Sequence, residues 1–499
     1  MKHTTQRTTR VSELKSRPLA RAMAIALSLA AGSAGAAEFL VDSDADAGPG
    51  TLRDAIAQAN ALAGTDTITF GQIGRITLTS GQIDITESLI IDGRDRGTVI
   101  SGNDNSRIFG VTVQEESLEI LDLVLIEARA EDTGGSGLCH AGTSGGGAIC
   151  ARGPLRLERT RILDSHSVDG RGGAVRVGSS GAVVLENSTI TGNRSSGPGG
   201  GMEITAGSLT IFNSKIEDNS TSNSSAYGGG LYANALTSIV GSSITGNVTE
   251  GQNGKGAGLW LRGDTAIALS TISGNASLGA FGAGAALFQR EGNLRVRSAT
   301  ITDNTGVSGG AVAFNDGPGD DLVLTMVNTI LAGNTAPAGN FDAIVDNGGS
   351  ITVDMQASLF GDAPGEVNGT SFANIFDDSP GLAPLADNGC FELAGVGGLG
   401  VSPPAACTLT HAVLPGSPAL NAGSDQVNAF DQRGAGFPRI FGSDADIGAF
   451  ESQGFVTGPP DLSPAHPVPV ASPLGAAVMA MLFGLLGMLG LDRRRRAGR

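Results

Sequence analysis

One phrase recurs along the middle of the chain, and its spacing leaves few folds open. It reads Asn187-Ser-Thr-Ile190-Thr-Gly-Asn193, Asn213-Ser-Lys-Ile216-Glu-Asp-Asn219, Ser242-Ser-Ile244-Thr-Gly-Asn247, Ser270-Thr-Ile272-Ser-Gly-Asn275 and Ala299-Thr-Ile301-Thr-Asp-Asn304. A weaker copy precedes it at Ile162, and another follows at Asn328-Thr-Ile330-Leu331-Ala-Gly-Asn334. From Ile162 to Ile301 the isoleucines step by 28, 26, 28, 28 and 29 residues. Between copies lie short runs such as Leu209-Thr210-Ile211 and Ala182-Val183-Val184-Leu185, rich in strand-forming side chains and bounded by Gly and Asn. A period near 28 built of short strands and tight turns is one coil of a parallel β-solenoid. One coil cannot bury its apolar residues alone. Stacking coils about 4.8 Å apart pairs each strand with its copies and lines the isoleucines into a column. The expected fold is therefore all-β: a right-handed parallel β-helix of about 10–12 coils.

A second phrase alternates with the first: Gly146-Gly147-Ala148-Ile149, Gly172-Gly173-Ala174-Val175, Gly200-Gly201-Met202, Gly229-Gly230-Leu231, Gly256-Ala257-Gly258-Leu259 and Gly309-Gly310-Ala311-Val312. It marks a turn where coils stack too closely for a Cβ. Asn193, Asn219, Asn247, Asn275 and Asn304 keep a register of their own. A row of ligands is one reading; the favoured one is an asparagine ladder, with stacked amides bonding one another at a turn. Weaker coils extend upstream through Ile83-Asp-Ile85 and Leu118-Glu-Ile120, and downstream through Ile351-Thr-Val353. Open solenoid ends need caps. Residues 51–62 form the one good helix in this body, with Leu52, Ile56, Ala59 and Leu62 on its apolar face, and are read as the N-terminal cap.

The two ends give an address. Six basic residues, an apolar stretch from Ala22 to Ala31 and the small-x-small site Ala34-Gly35-Ala36 make residues 1–37 a secretory signal. The cap then occupies 38–65, the β-helix 66–385 and a C-terminal coil or cap region 386–455. A Pro-rich linker follows at 456–473, and a tail at 474–499. In the tail, Leu474 to Leu491 carries no charge and is long enough to span a bilayer, and Arg493-Arg494-Arg495-Arg496 follows it. The ends are basic, so the middle carries −26 against −17 for the whole chain. Such a body repels phosphate backbones, which argues against nucleic acid as a partner. The 77 glycines have no three-residue period, which excludes collagen.

Three resemblances attach to these residues. The stretch Val468-Pro469-Val470-Ala471-Ser472-Pro473-Leu474-Gly475, with the apolar run and Arg cluster behind it, resembles bacterial sorting tails of the PEP-CTERM and IPTL-CTERM kind. It lacks a strict Pro-Glu-Pro, and Leu474 stands where IPTL-type tails often carry Trp. The resemblance implies export to the cell envelope or surface, membrane attachment through the tail before processing, and a sorting enzyme as partner. The Gly-Gly-Ala-Ile and Ile-x-x-Asn phrases resemble the polymorphic outer-membrane-protein repeat, with Ile in place of its usual Phe. Residues 41–60 with Thr65-Asp-Thr-Ile-Thr-Phe70 look like the start of secreted β-helix proteins of the pectin-lyase-like superfamily. Pro415 to Gly423, Asp431-Gln-Arg-Gly434 and Asp446-Ile-Gly-Ala-Phe-Glu451 look like the choice-of-anchor region that ends such chains. These resemblances bear on fold and address and say little about activity.

Chemistry is sparser. Four cysteines in an oxidising compartment suggest two disulfides. Three pairings exist, and proximity favours Cys139 with Cys150 and Cys390 with Cys407. No Cys-x-x-Cys spacing supports a metal, and no cofactor is expected. Acidic pairs at Glu115-Glu116, Glu131-Asp132, Asp320-Asp321 and Asp377-Asp378 sit at apparent turns and read as solvated surface rather than as an acid/base or Ca²⁺ set. The best binding candidate is aromatic. Tyr232, Trp260 and Phe288 step by 28 and 28, each one residue after a leucine. If the leucines face inward, the rings form an outward strip, below Arg176 and Glu203 in the same column. Such a strip suits a sugar or protein contact; stacking that only stabilises the sheet, or cover by a loop, is the rival reading. The function expected is a non-catalytic surface or secreted rod for adhesion, with a polysaccharide or surface protein as partner. A polysaccharide lyase or glycosidase on the same scaffold is the alternative.

Overall fold

The computed structural model describes residues 36–453, apart from 136–137, 144, 179–180, 206, 308–310, 315–320, 336–343, 347–349, 362–368, 390–406 and 425–427. The signal, linker and tail expected from the sequence lie outside the described residues. No helix among the described residues is long and apolar enough to cross a membrane.

A coil is built from four short strands. The coil that begins at Ala182–Glu186 turns at Asn187 and Ser188 into Thr189–Thr191. It turns again at Gly192 and Asn193 into Arg194–Ser195, then crosses a glycine-rich loop to Met202–Ile204. Ser208–Phe212 opens the next coil directly above. Repetition of this path gives four parallel sheets of 13, 12, 7 and 10 strands, in the order the chain visits them. The fold is thus an all-β right-handed parallel solenoid, with one short helix among the described residues. Ile162, Ile190, Ile216, Ile244, Ile272 and Ile301 pair in unbroken register in the 12-stranded sheet, and each is fully buried. At about 25 cal/mol per Å² of apolar surface, such columns are the main stabilising term. The register then passes from Ile301 to Leu331 and not to Ile330, which pairs with Thr300 and faces away from the solenoid core.

The two corners flanking the 12-stranded sheet follow one recipe. A residue in the left-handed region makes the bend, and the next side chain closes it. Before each ladder asparagine stands Gly192, Asp218, Gly246, Gly274 or Asp303, all with φ between +55° and +67°. A left-handed position is tolerated by Gly and, at modest cost, by Asp or Asn, which is why the repeat reads Gly-Asn or Asp-Asn. The side-chain amide of Asn247 donates to Oδ1 of Asn275 at 2.9 Å, and the Asn247 backbone N–H donates to the same oxygen at 3.0 Å. Identical pairs link Asn193 to Asn219, Asn219 to Asn247, Asn275 to Asn304 and Asn304 to Asn334. The opposite corner carries a hydroxyl ladder that the sequence reading did not single out. Backbone N–H groups of Thr160, Ser188, Ser214 and Ser242 donate to Oγ of Ser188, Ser214, Ser242 and Ser270 at 3.0–3.1 Å. Its signal is a serine two residues before Ile190, Ile216, Ile244 and Ile272. The glycine-rich corner is a close approach: a Cβ on Gly173 would lie 1.9 Å from the carbonyl oxygen of Gly200.

The N-terminal end is closed by helix α1, Leu52–Ala59. Thr51 caps it, its Oγ1 accepting from the Asp54 N–H at 3.2 Å, while Asp54 accepts from the Gly50 N–H at 3.1 Å. Leu52, Ala55, Ile56 and Ala59 are buried against the first strands, Glu38–Val41 and Asp66–Phe70. The expected helix is three residues too long. Asn60 ends it by donating to the Asp84 carbonyl and accepting from the Thr86 N–H, so Leu62 is 41% exposed instead of on the apolar face.

Residues 407–424 and 428–453 form a strap along the outer face of the 12-stranded sheet. Thr271 Oγ1 donates to Gln432 Oε1 at 2.6 Å, and Gln432 Nε2 reaches the Ser242 carbonyl at 3.4 Å. The Ala449 N–H donates to Thr300 Oγ1 at 3.0 Å, and Gly448 N–H to the Asn328 carbonyl at 3.0 Å. Ile330, Leu359, Val413, Ala419, Ile447 and Phe450 share a small apolar cluster beneath it. The sheet anticipates its cover. Upstream, outward positions beside the core isoleucines are Arg161, Leu163, Lys215 and Glu217, all partly exposed. Under the strap they become Ser243, Thr245, Thr271, Ser273, Thr300 and Thr302, small and buried.

Candidate functional site

The outer face of the ten-stranded sheet carries the sequence-selected side chains in one column. Register places Gly110, Cys150, Arg176, Glu203, Tyr232, Trp260, Phe288 and Ala313 in consecutive coils.

At the top of the column, Cys150 is disulfide-bonded to Cys139, with 5.0 Å between their Cα atoms. The bond pins Cys139 and the loop segment beside it over Gly110. Arg107 fastens the same loop from below. Its buried guanidinium donates to the carbonyls of Gly146, Thr143 and Gly145 at 2.6–2.9 Å and to Gln82 Oε1 at 2.5 Å. Burial pushes its pKa down to about 10, so it remains a cation at neutral pH. Cys407 is also disulfide-bonded; Cys390 lies outside the described residues.

Next in the column is a buried ion cluster. Glu203, 1% exposed, meets Arg176 Nε at 2.9 Å and Arg171 Nη1 at 3.1 Å. Two guanidiniums against one carboxylate offset its loss of hydration.

The aromatic residues do stack. Tyr232 and Trp260 have ring centroids 4.2 Å apart with planes 5° from parallel, and Phe288 follows 6.5 Å beyond Trp260. They are not an open strip. Trp260 is 4% and Phe288 2% exposed. The loops between the seven- and ten-stranded sheets lengthen here to 222–230, 250–258 and 278–286, and fold over the rings. Tyr227 from the first stacks on Trp260 at 6.0 Å, Lys255 from the second sits 4.9 Å over Phe288, and Ala283 from the third packs into the cluster. Of the two readings, the loop-covered stack is the one present and the open strip is not: Tyr232, Trp260 and Phe288 form a small satellite core under the loops. Strand alternation fixed their direction, but loop cover is not written in a 28-residue period. A substitution at Trp260 would read out stability, at about 3–5 kcal/mol, rather than binding.

The ladder asparagines are closed as well. All five are buried and spend their amides on one another and on backbone carbonyls, as when Asn219 Nδ2 donates to the Ile190 carbonyl at 2.9 Å. Among the described residues no group of three or more His, Cys, Asp or Glu is placed to hold a metal ion. Asp320 lies outside the described residues.

Two depressions on the described surface bear on function. One, of about 420 Å³, lies between strap and sheet and is lined by Thr302, Asp303, Gly333, Pro380, Leu382 and His411. His411 faces Ser273 Oγ through Nε2 at 2.8 Å and the Ala383 carbonyl through Nδ1 at 2.8 Å. This resembles a nucleophile–base pair, and burial lowers the imidazole pKa. Ser273 is only 2% exposed, so the pair pins the strap instead of meeting a substrate. The other depression, of about 290 Å³, opens on the loop-bearing flank between Asp169, Arg171, Pro198, Asn223, Ser225 and Ala226. It lies beside the Glu203 cluster, which Arg171 joins to it. The sequence held no periodic signal for it, because its residues come from loops of unequal length.

Comparison with known proteins agrees with the architecture. Residues 151–336 match a family described as a right-handed β-helix region. No curated protein matches the chain.

Proposed function

We propose that the chain is an exported, non-catalytic β-helix rod held at a bacterial cell surface, which presents its loop-bearing flank to a glycan or matrix partner. The observation that carries this reading is how charge is spent along the rod. Asp122 takes a two-pronged contact from Arg159 at 2.6 and 2.9 Å. Arg156 bridges Glu158 and Glu186 on adjacent coils, and Arg262 binds Glu291. Arg194 reaches Glu250 two coils on. These pairs spend charge on holding the coils together, while the loop-bearing flank keeps exposed polar side chains at Asp169, Asn223 and Ser225. The signal at 1–37 and the tail at 474–499 supply the address. Deleting residues 474–499 should move the protein from the surface of intact cells, read by protease shaving, into the medium. Retention on the surface would remove the display reading.

A polysaccharide lyase or glycosidase on the same scaffold is favoured by one observation: Glu203 lies between two arginines beside an open groove. Incubating the protein with acidic polysaccharides, with and without Ca²⁺, separates the readings. Chain cleavage would establish the enzyme; unchanged polymer length is the expected result.

A further inference from the structure

We propose that the groove between Asp169, Arg171, Pro198, Asn223, Ser225 and Ala226 is a binding site for a single neutral sugar unit, such as the terminal residue of an uncharged glycan. This rests on the display reading above and names the ligand class for its exposed flank.

Three consecutive coils build the groove, each through the loop that precedes its strand in the ten-stranded sheet. The first coil supplies Asp169 and Arg171, the second Gly197 and Pro198, the third Asn223, Ser225 and Ala226. The side chains of Asp169, Asn223 and Ser225 are exposed, and no contact among the described residues occupies them. Arg171 spends one N–H on Glu203 and is half exposed. The groove therefore offers a carboxylate acceptor, a guanidinium donor, an amide that does both and a hydroxyl. That mixture suits the alternating hydroxyls of a sugar ring. Pro198, partly exposed, gives a small apolar surface for its C–H face.

Charge sets the class. Asp169 stands two residues from Arg171 on the same loop, and Arg171 already faces Glu203, so the site has no excess cation to hold a sulfated or uronic sugar. The surrounding body is strongly acidic and repels polyanions. Size sets the length: about 290 Å³ is near the lower bound of about 300 Å³ for small-ligand pockets, room for a unit rather than a chain.

The groove is also held in shape. The Gly197 N–H donates to the Gly170 carbonyl at 2.7 Å, and the Asn223 N–H to the Ser196 carbonyl at 2.9 Å. The Asp169 N–H donates to Ser196 Oγ at 2.9 Å. Tyr227, next to Ala226, is clamped on Trp260. The buried aromatic column is thus a positioning device for the third loop, and little ordering cost remains for the ligand to meet.

The test is titration of the full chain with methyl glycosides of glucose, galactose and mannose, with N-acetylglucosamine, and with glucuronate as the acidic arm, read by saturation-transfer NMR. At least one neutral sugar should bind, glucuronate should bind no tighter, and Asp169→Ala combined with Asn223→Ala should weaken the neutral sugar about tenfold or more. Arg75→Ala, on an exposed ion pair of the 12-stranded sheet, should leave binding unchanged. Neutral-sugar binding that survives the double substitution places the site elsewhere and overturns the proposal. So does preference for glucuronate, or failure of every sugar. If every sugar fails while the rod still adheres to extracellular matrix, the groove assignment falls and the display reading stands. If adhesion is absent too, both fall.

Discussion

The solenoid and the strap bury polar groups by opposite means. In the solenoid the solution is repetition: each asparagine amide satisfies the next coil and is satisfied by the one before. In the strap it is a single irregular network. Arg439, fully buried, donates to Glu451 Oε2 at 3.3 Å and to the Asp446 and Gly448 carbonyls at 2.7 and 3.0 Å. Arg433 lies between the rings of Phe437 and Phe450, 4.0 and 3.8 Å from their centroids, and binds Asp431 at 2.6 Å. Glu451 accepts from the Asp446 and Phe441 N–H groups at 2.8 and 2.9 Å. The difference teaches where damage spreads. A ladder lost at one rung keeps its neighbours, since stability in a repeat sums over adjacent coils. A network lost at one ion leaves its partner buried and unpaired.

The sharpest way to break this contrast is Arg439→Ala. It strands Glu451 and should cost about 3–5 kcal/mol, enough to undock the strap. Limited proteolysis should then cut within 407–453 while the far-ultraviolet spectrum of the solenoid persists; a strap that stays protected would show that the network is not what holds it. Smaller and more local is Asn247→Ala. It removes the oxygen that accepts both the backbone and side-chain N–H of Asn219, at about 1–3 kcal/mol. Hydrogen exchange should speed up around that corner and not at Asn304. Uniform loosening would argue that the coils are not independent.

The strap should also answer to pH. Burial pushes Glu451 up to about 7 from an ordinary 4.5, and raises Asp431 and Asp446 as well. A carboxyl raised in the folded state favours the protonated fold, so its contribution is full below about pH 4.5 and is lost as pH rises to about 7. His411, lowered by burial, works the other way and costs stability as pH falls below 6.5. Exchange protection of 407–453 should therefore decline between pH 5 and 7 in the parent chain, and decline less in Glu451→Gln. An equal decline in both would remove Glu451 from the account. The smallest effect belongs to Arg194→Ala, which breaks a pair that is 46% and 38% exposed and should cost under about 1 kcal/mol.

The same contrast explains what the sequence disclosed. Ile162 through Ile301 share a period, so sheet, core and corner could all be read from one phrase. The hydroxyl ladder is periodic too, with a serine two before Ile190, Ile216, Ile244 and Ile272, but serine at a turn is too common to stand out. The strap had no period. Its trace is indirect, in the change from Lys215 and Glu217 to Thr271 and Ser273 on the same face, and recognising it requires knowing that something packs there. The aromatic column shows the limit most plainly: alternation told which way Trp260 points, and only the length of loops from other coils decided whether water reaches it. The groove, drawn from three such loops, was invisible for the same reason.

Vertical registry of the coils underlies all of this, and pulsed electron spin resonance between labels at Arg75 and Lys215 measures it. The two lie on one column of the 12-stranded sheet through Val99, Val124, Arg161 and Thr189, five coil steps apart. At about 4.8 Å per step the backbone separation is about 24 Å. A single narrow distribution near that value, shortening by about 4.8 Å when the first label moves to Val99, is the result expected. A broad distribution, or no change on moving the label by one coil, would contradict the stacked solenoid itself.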